Sequence, residues 1–165
     1  MYKYESKKGG YFIIREAEIR DLEHIIFINR VSLPENYTPE FFKEHLVKWK
    51  HSFLVGMYED KIVGYVMCRV EWGWSNFSPK FTRKGHVISL AVLPEYRRLG
   101  IGEKLMVHAL DALKTRYSAN EVYLEVRVSN MPAIKLYEKL GFKIIRVVPM
   151  YYSDGEDAYI MARKL

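Results

Sequence analysis

A strand, a glycine-containing loop and a helix follow one another in the second half of the chain, and this unit limits the folds available to it. The β-rich run at residues 86–92 is the strand, and residues 94–102 form the loop. Apolar residues at helical spacing predict the helix, namely Leu105, Met106, Ala109, Leu110 and Leu113. The unit predicts a protein in which helices pack on a sheet.

The loop Arg97-Arg98-Leu99-Gly100-Ile101-Gly102 predicts a phosphate site. Its backbone N–H groups and the dipole of the next helix face the same point, and glycine permits close approach of a ligand. The two arginines add bidentate charge for a pyrophosphate. Two nucleotide motifs are excluded, because Glu103-Lys104 replaces the Lys-Ser/Thr of a Walker loop and Met106 or Val107 replaces the third Rossmann glycine.

Turn signals divide the rest of the chain into short elements, with no repeat and no linker. Strands are predicted at residues 11–15, 52–58, 61–71, 122–128, 142–149 and 158–162. Helices are predicted at residues 21–30, from Pro39 to Trp49 behind an N-cap at Thr38, and from Asn130 to Leu140. The pattern predicts a mixed α/β sandwich.

Residues 72–84 break this pattern with Gly, Ser, Asn and Pro, and they predict a long surface loop. The aromatic residues in it, Trp72, Trp74 and Phe77, either cover a substrate groove or form a satellite cluster that anchors the loop.

Composition narrows the class of protein. With 165 residues and 49% hydrophobic content, the chain suits one well-buried core, so a single domain over residues 1–165 is predicted. The formal charge of +6 favours anionic partners without choosing between nucleic acid, acidic peptide and a phosphate-rich cofactor. The lone Cys68 excludes an internal disulfide, and no apolar run is long enough to span a bilayer. A cytoplasmic protein is therefore expected.

The phosphate loop resembles that of the GNAT acetyltransferases, whose signature Arg/Gln-x-x-Gly-x-Gly/Ala is matched at residues 97–102. Three more pieces resemble the catalytic subunits of archaeal NatA-type N-terminal acetyltransferases: Leu33-Pro34-Glu35-Asn36-Tyr37, residues 123–130 and residues 151–159. The resemblance implies the GNAT fold, a central mixed and mostly antiparallel sheet with splayed central strands and four flanking helices. It also implies acetyl transfer from acetyl-CoA.

The resemblance implies that acetyl-CoA is held in the gap between the two central strands. Leu90, Ala91 and Val92 are expected to pair with the pantetheine, and a backbone N–H near them is expected to polarise the thioester carbonyl. The pyrophosphate is expected at Arg97, Arg98, Leu99, Gly100, Ile101, Gly102 and Glu103.

Asn130 and Tyr137 match the Ser-Asn-x-x-Ala-x-x-x-Tyr stretch of the same family. Both are expected at the cofactor. A phenol at Tyr137 can give a proton to the departing CoA thiolate, and the alternative is a core tyrosine with a satisfied hydroxyl.

The acceptor amine must be neutral, and an α-amino group with a pKa of about 8 meets this condition better than a lysine with a pKa of about 10.4. His86 and Glu125, on the two central strands, are expected to face each other where the amine arrives. His86 then serves as base through a water, and Glu125 orients it or shares the role. Some relatives carry Tyr and His at these positions. The pair also leaves open a two-ligand zinc site, but no obligatory metal is expected.

The resemblance places Glu35 in the wall of the peptide site, as a substrate ligand or an alternative base, although it could equally be a plain acid in a turn. Tyr37, Tyr152 and Leu90 are expected to contact the peptide. Tyr152 is preferred to Tyr151 because neighbouring residues on a strand point to opposite faces.

The predicted function is N-terminal α-amino acetylation by direct attack in a ternary complex, since Cys68 has no motif support as a nucleophile. Two rivals are kept: a lysine acetyltransferase and a non-catalytic module that binds RNA or the ribosome. The expected partners are protein or peptide N-termini, with an auxiliary subunit or ribosome association left open. No membrane and no specific nucleic acid are expected.

Overall fold

The computed structural model describes residues 1–165, which build one eight-stranded sheet flanked by helices. The strands are β1 (Tyr2–Glu5), β2 (Tyr11–Glu16), β3 (Phe53–Tyr58), β4 (Lys61–Trp74), β5 (Phe81–Val92), β6 (Glu121–Arg127), β7 (Lys143–Val148) and β8 (Ala158–Lys164). Their order in the sheet is β1-β2-β3-β4-β5-β6-β8-β7, and only β5 and β6 pair in parallel. The mixed, mostly antiparallel sheet that the sequence predicts is confirmed.

The four expected helices are present as α1 (Leu22–Ser32), α2 (Pro39–Lys48), α3 (Ile101–Thr115) and α4 (Met131–Lys139). α2 begins where the sequence predicts, because the Thr38 hydroxyl accepts a hydrogen bond from the Phe41 N–H and Pro39 occupies the first turn. Asn130 caps α4 in the same way through the Ala133 N–H. No helix has both the length and the apolar composition needed to cross a lipid bilayer.

The central strands β5 and β6 separate after a short paired stretch. Residues 84–86 of β5 lie opposite residues 121–123 of β6, and no further pairs follow. On their outer sides both strands stay paired much longer, β5 with β4 as far as Val92 and β6 with β8 as far as Arg127. A wedge-shaped opening therefore forms beyond His86, and its walls are strand edges that lack a strand partner. These are the splayed central strands that the sequence predicts.

Glycines in β3 and β4 let α3 approach the sheet closely. A Cβ on Gly56 would stand 2.7 Å from Ile101 Cγ2, and one on Gly64 would stand 3.4 Å from Leu105 Cδ1. Leu105 is fully buried, whereas Val107 on the same helix is exposed. The start of α3, together with the loop before it, is thus fixed against the middle of the sheet by direct packing.

The prediction of a long loop at residues 72–84 is wrong. β4 continues through Trp74 and β5 begins at Phe81, so the loop covers only residues 75–80. Trp72 pairs with Arg83 and Trp74 pairs with Phe81 across the hairpin. The first is a cation–π pair and the second an aromatic pair, and such cross-strand contacts stabilise strands enough to outweigh the turn-forming composition that suggested a loop. Strand β1 was also missed, since its short polar sequence gains strand structure only by pairing with β2.

We expect Leu105→Ala to destabilise the fold by about 2–5 kcal/mol, because it removes buried methyl groups and leaves a cavity between α3 and the sheet. The matched control, Val107→Ala, changes an exposed side chain on the same helix and should cost less than about 1 kcal/mol. Guanidinium unfolding followed by circular dichroism measures both. Equal losses for the two variants would contradict the packing described for α3.

Candidate active site

His86 lies where β5 and β6 separate, and each of its ring nitrogens faces a carboxylate. Nδ1 is 2.9 Å from Glu71 Oε2 on β4, and Nε2 is 2.7 Å from Glu125 Oε1 on β6. The residue is only 9% exposed. Since ionised carboxylates accept and do not donate hydrogen bonds, contacts at both nitrogens favour the doubly protonated imidazolium. The structure thus brings the two sequence-predicted residues together and adds Glu71 as a third.

Two tyrosines complete this cluster. The Tyr123 ring stacks on His86, with centroids 4.1 Å apart and planes inclined by 18°, and its hydroxyl donates to Glu71 Oε1 at 2.5 Å. The Tyr151 hydroxyl donates to Glu125 Oε1 at 3.3 Å. Each carboxylate therefore receives a second hydrogen bond, and the imidazole is held in one orientation.

The cluster raises the pKa of His86. Burial of the ring opposes its protonation, but the hydrogen bonds and charges of Glu125 and Glu71 outweigh burial, so the pKa rises above its usual value of about 6.5. The hydrogen bond from His86 is the main cause that lowers the pKa of the Glu71 carboxyl. Burial and then the charge of Glu125 raise the pKa of Tyr151 to about 12. His86 must lose a proton before it can accept one.

This shift also couples stability to pH. The pKa of His86 is higher in the folded state than in the unfolded chain. The stabilisation from its two carboxylate partners is therefore complete below about pH 6.5 and is lost as the pH rises through the folded-state pKa.

The edge of β5 that faces the opening carries backbone groups that have no strand partner. The Ile88 C=O accepts a hydrogen bond from the Tyr37 hydroxyl at 3.3 Å, and the Val92 C=O accepts one from Arg97 Nε at 2.9 Å. Because the backbone groups of alternate strand residues point to the same edge, Leu90 lies in phase with both and faces the opening.

Ala91 differs from Leu90 and Val92 in this respect. Its C=O lies 3.0 Å from the position of a Cβ on Gly64, which belongs to β4. Leu93, two residues further along and therefore facing the same edge as Ala91, donates its N–H to the Val63 C=O of β4. The backbone of Ala91 therefore faces β4, so only two of the three strand residues expected at the pantetheine present backbone groups to the opening.

The loop before α3 has a shape suited to an anion. Arg98 and Gly100 both have positive φ, 64° and 98°, which turns the backbone sharply just before the helix. The N–H groups of the first three helical residues, Ile101, Gly102 and Glu103, find no acceptor in the protein. Free N–H groups at a helix start attract phosphate. Arg97 and Arg98 are both exposed beside them.

The rest of this loop is tied to neighbouring segments. Leu99 is buried, and its C=O accepts a hydrogen bond from the Lys7 N–H at 3.3 Å. The Glu103 carboxylate lies 3.1 Å from Lys139 Nζ on α4 and 3.9 Å from Lys7 Nζ. These two cations offset a negative charge that would otherwise repel a phosphate at this helix start.

Tyr137 and Asn130 lie on and beside α4. Tyr137 is 8% exposed, its hydroxyl forms no hydrogen bond within the protein, and burial raises its pKa. It is therefore a neutral phenol at physiological pH and can act as a proton donor. Asn130 is exposed, and its side chain is engaged in capping α4.

Arg127, two residues after Glu125 on β6, connects two loops at the opening. Its Nη2 lies 2.6 Å from Glu35 Oε1 in the α1–α2 loop. Its Nη1 lies 2.8 Å from both Asp154 Oδ2 and Glu156 Oε1 in the β7–β8 loop. Glu35 is thus held in an ion pair, a state that does not suit a free base.

The α1–α2 loop is also held by Asn29, a fully buried residue of α1. Asn29 Nδ2 donates to the Glu35 C=O at 3.0 Å and lies 3.1 Å from the Tyr65 hydroxyl. Its Oδ1 accepts a hydrogen bond from the Tyr37 N–H at 3.3 Å. The Tyr65 hydroxyl is in turn hydrogen-bonded to Ser89 Oγ on β5, at 2.7 Å. This chain of buried hydrogen bonds fixes Glu35 and Tyr37 relative to β4 and β5.

The reason for preferring Tyr152 to Tyr151 is wrong. Both residues lie in the loop after β7, so strand alternation does not apply to them. Their rings pack edge to face at 4.9 Å. Tyr151 contacts Glu125, whereas Tyr152 lies over the Arg127 guanidinium at 4.1 Å. Of the two, Tyr151 is the one that touches the His86 cluster.

Glu71 and Arg127 were not found from the sequence, and Tyr151 was considered but passed over in favour of Tyr152. Arg127 had a usable signal, because it follows Glu125 by two residues and so shares its strand face. Glu71 carried a weaker one, an acid near the end of a predicted strand. The contact of Tyr151 with Glu125 had no signal, since a loop residue has no periodicity that indicates where it points.

Neither a metal centre nor a thiol nucleophile is apparent. No group of three or more His, Cys, Asp or Glu side chains is arranged to hold a metal ion. At His86, the carboxylates of Glu71 and Glu125 each contact one ring nitrogen, so the ring already has a protein partner on both sides. Cys68 is fully buried, and burial raises the pKa of its thiol, which disfavours the reactive thiolate.

A cavity of about 520 Å³ opens between α2 and the end of β4. It is lined by Glu71 but not by His86, together with Glu44, His45, Lys48, Trp49, Arg69, Val70 and Trp72. Solvent can therefore reach the Glu71 carboxylate without passing through the opening between β5 and β6.

Comparison with known proteins places this geometry in a family. Residues 17–142 match the acetyltransferase (GNAT) family. An N-alpha-acetyltransferase of Sulfurisphaera tokodaii is 54% identical over 163 residues, which cover 98% of each chain. The crystal structure of Ard1 from Thermoplasma volcanium has a TM-score of 0.80 at 33% identity and covers 93% of this chain and 97% of that one. Arabidopsis thaliana Naa50, in complex with the bisubstrate analogue CoA-Ac-MVNAL, has a TM-score of 0.79 at 27% identity, with coverage of 93% and 99%.

We expect His86 to titrate above about pH 6.5 and Glu71→Gln to lower its pKa, because the variant removes a negative charge from Nδ1. NMR titration of the imidazole Cε1–H measures both values. Glu44→Gln is the matched control, since Glu44 lines the same cavity but pairs with Lys48 and not with His86. An unchanged His86 pKa in Glu71→Gln would show that the carboxylate does not hold the ring.

Proposed function

We propose that this chain, which belongs to the acetyltransferase (GNAT) family, transfers the acetyl group of acetyl-CoA to the free α-amino group of a protein N-terminus. The observation that carries the proposal is the His86–Glu125 pair at the narrow end of the opening between β5 and β6. The chain is similar over nearly its whole length to an N-alpha-acetyltransferase, and this similarity supports an α-amino group as the acceptor.

The opening fits acetyl-CoA at two places. The free N–H groups at the start of α3 suit the pyrophosphate, with Arg97 and Arg98 adding positive charge. The edge of β5 at Leu90 and Val92 suits the amides of the pantetheine, which would add to the sheet like a further strand. Acetyl-CoA supplies the thioester carbonyl that the amine attacks.

The reaction requires one proton to leave the amine and one to reach the sulfur. As the nitrogen–carbon bond forms and the carbon–sulfur bond breaks, neutral His86 takes the amine proton, directly or through a water, and Glu125 stabilises the resulting imidazolium. Tyr137 has a phenol without a protein partner and gives its proton to the thiolate. No acetylated enzyme intermediate is required, which agrees with the burial of Cys68.

The raised pKa of His86 has a cost and a benefit in this scheme. The cost is that part of the enzyme carries imidazolium at neutral pH, so the rate should rise with pH as His86 loses its proton. The benefit is a stronger base once it is neutral. The proton can then leave towards solvent on the Glu71 side, through the cavity between α2 and β4, while substrates fill the opening.

The surroundings of the opening favour an N-terminus as acceptor. Glu35, Asp154 and Glu156 outnumber the single Arg127 that they contact, so the rim is negative and attracts an ammonium group, of an N-terminus or of a lysine alike. An α-amino group with a pKa of about 8 gives up its proton to His86 more readily than a lysine does. Tyr37 and Tyr151 stand on the two sides of the opening, where they can contact the peptide backbone.

Other features of this function stay predictions. Glu35 and Tyr152 are proposed to shape the peptide site from their positions around Arg127, and Glu35 as the base is less favoured because of its ion pair. Assembly with an auxiliary subunit and association with the ribosome rest on the family alone, and a cytoplasmic location rests on the composition of the chain. The following experiment distinguishes the proposed function from that of a lysine acetyltransferase.

The decisive assay incubates the purified chain with acetyl-CoA and a peptide that has one free N-terminus and one internal lysine. We expect mass spectrometry to place the acetyl group on the N-terminus. His86→Ala combined with Glu125→Ala should lower kcat by about 10²–10⁴-fold, the usual contribution of general-base catalysis, while the affinity for acetyl-CoA stays unchanged.

Cys68→Ala is the control in this assay, and it should keep its activity if it stays folded. Acetylation of the lysine alone would favour the rival enzyme. Full activity of the double variant would remove His86 and Glu125 from the mechanism, and binding of acetyl-CoA without any product would favour a non-catalytic module.

Arg127 should act as a positioning residue for the peptide. Because it ties both walls of the opening together, we expect Arg127→Met to raise KM for the peptide roughly tenfold, equal to about 1.4 kcal/mol, with KM for acetyl-CoA unchanged. Arg146→Met, at an exposed arginine on β7, is the matched control. Equal changes in both KM values would indicate general loss of structure instead.

A further inference from the structure

The far end of the β4–β5 hairpin carries an aromatic and cationic surface that the proposed reaction does not use. Residues 72–84 contain four aromatic residues, three cations and no carboxylate. We use the name hairpin surface for Trp72, Trp74, Lys80, Phe81 and Arg83. It combines exposed rings with positive charge at one end of the sheet.

The rings of this surface share one face of the hairpin. Trp72 lies opposite Arg83 and Trp74 lies opposite Phe81, so the four side chains form two adjacent cross-strand pairs. The Phe81 ring centroid is 6.1 Å from that of Trp72 and 5.6 Å from that of Trp74. The Arg83 guanidinium lies 5.2 Å from the Trp72 ring. The result is a continuous platform.

This platform is open to solvent. Trp72 is 62% exposed, Trp74 is 69% exposed and Phe81 is 57% exposed. Single exposed aromatics need no explanation, but three contiguous ones form a patch of the kind that marks a binding surface. These side chains are therefore poor candidates for anchoring the loop at residues 75–80.

The charge around the platform is one-sided. Three carboxylates lie next to the hairpin, and all are already engaged. Glu44, which lines the same cavity as Trp72, pairs with Lys48 at 2.9 Å. Glu71 is bound by His86 and Tyr123, and Glu121 is 3% exposed and accepts a hydrogen bond from the Asn76 N–H at 2.8 Å. Lys164 adds a further cation, with Nζ 5.6 Å from the Phe77 ring centroid. The surface therefore favours a polyanion.

We propose that the hairpin surface binds single-stranded nucleic acid without sequence preference. Bases stack on Trp74, Phe81 and Trp72, and phosphates pair with Lys80 and Arg83. An acidic protein segment would satisfy the cations, but it supplies a flat ring only where it carries an aromatic residue. A single strand satisfies both, because every nucleotide carries a base and a phosphate.

Binding here is compatible with acetyl transfer and does not rest on it. β5 runs from Phe81 at this surface to Val92 at the other end of the opening, and 12 residues of strand span roughly 35 Å. A nucleic acid on the hairpin surface therefore leaves the acetyl-CoA loop uncovered. Stacking and phosphate contacts do not distinguish bases, so this proposal does not require a specific nucleic-acid sequence.

The test uses fluorescein-labelled r(U)12, with d(T)12 as a second probe, in anisotropy titrations at about 50 mM salt. We expect both probes to bind, since the surface does not read the sugar. Trp74→Ala combined with Phe81→Ala should raise Kd roughly tenfold or more, because each stacked base loses its platform. The association constant K should fall less steeply with salt in Lys80→Gln. The slope of log K against log salt should be smaller in magnitude by about 0.7, the value for one phosphate contact on a single strand.

Tyr11→Ala is the matched control, because Tyr11 is also exposed and also has a cation over its ring, Lys3 Nζ at 4.7 Å, but lies on β2. It should leave Kd unchanged. Acetylation of a short peptide should be unchanged in every variant, which separates this inference from the proposed function. Circular dichroism should be unchanged in Tyr11→Ala and Lys80→Gln, and Lys80→Gln tests the surface without removing the cross-strand pair of Trp74 and Phe81.

Three outcomes would overturn the proposal: no binding of either probe, equal losses in Tyr11→Ala and in the aromatic double variant, or binding that depends on salt but not on Trp74 and Phe81. A competition titration with polyglutamate distinguishes an acidic protein as the ligand. If polyglutamate displaces the labelled probe only at a large excess of carboxylate over phosphate, the proposal is supported. If it displaces the probe at equal concentrations of charge, the surface binds an acidic protein instead.

Discussion

The separation of β5 from β6 is the constraint on which the other features of the site depend. Two parallel strands that pair over three positions and then diverge leave two strand edges whose backbone groups lack a strand partner. The edges can stay open because each strand is held firmly on its other side, β5 by β4 and β6 by β8. The outer pairings therefore maintain an opening that would otherwise close into a continuous sheet. A linear ligand with amide groups can occupy such a gap as if it were a missing strand.

Charge is concentrated at the narrow end of this opening, where the dielectric is low and solvent is limited. His86 between Glu71 and Glu125 forms a group of three with one net negative charge when the ring is protonated. Burial alone would keep the imidazole neutral, and the two carboxylates reverse that preference. Tyr123 and Tyr151 then limit the motion of the carboxylates. The chemistry proposed for His86 thus depends on a balance among three strands and one loop.

Several predictions from local sequence were sound because they rested on local physics. Thr38-Pro39 and Asn130 capped the helices that they were expected to cap, since capping involves residues only three positions apart. The loop at residues 97–102 formed a helix start with free N–H groups, since this geometry follows from glycine conformation and the termination of hydrogen bonding. The failures involved contacts between distant segments. Residues 72–84 became a hairpin through cross-strand pairs, and Tyr151 met Glu125 because of how the β7–β8 loop folds back.

The sequence by itself determined the alternation of strands and helices and the glycine loop before α3, and through its motifs it indicated the family and the pair His86 and Glu125. Tertiary structure alone decided that Glu71 is the second carboxylate on His86, that Arg127 joins Glu35 to the β7–β8 loop, and that Ala91 faces β4. The physical reason is range. Periodicity, capping and glycine conformation act over a few residues and are visible in a linear sequence. The partner of a buried charge is set by strand order and register, which bring together residues that lie tens of positions apart.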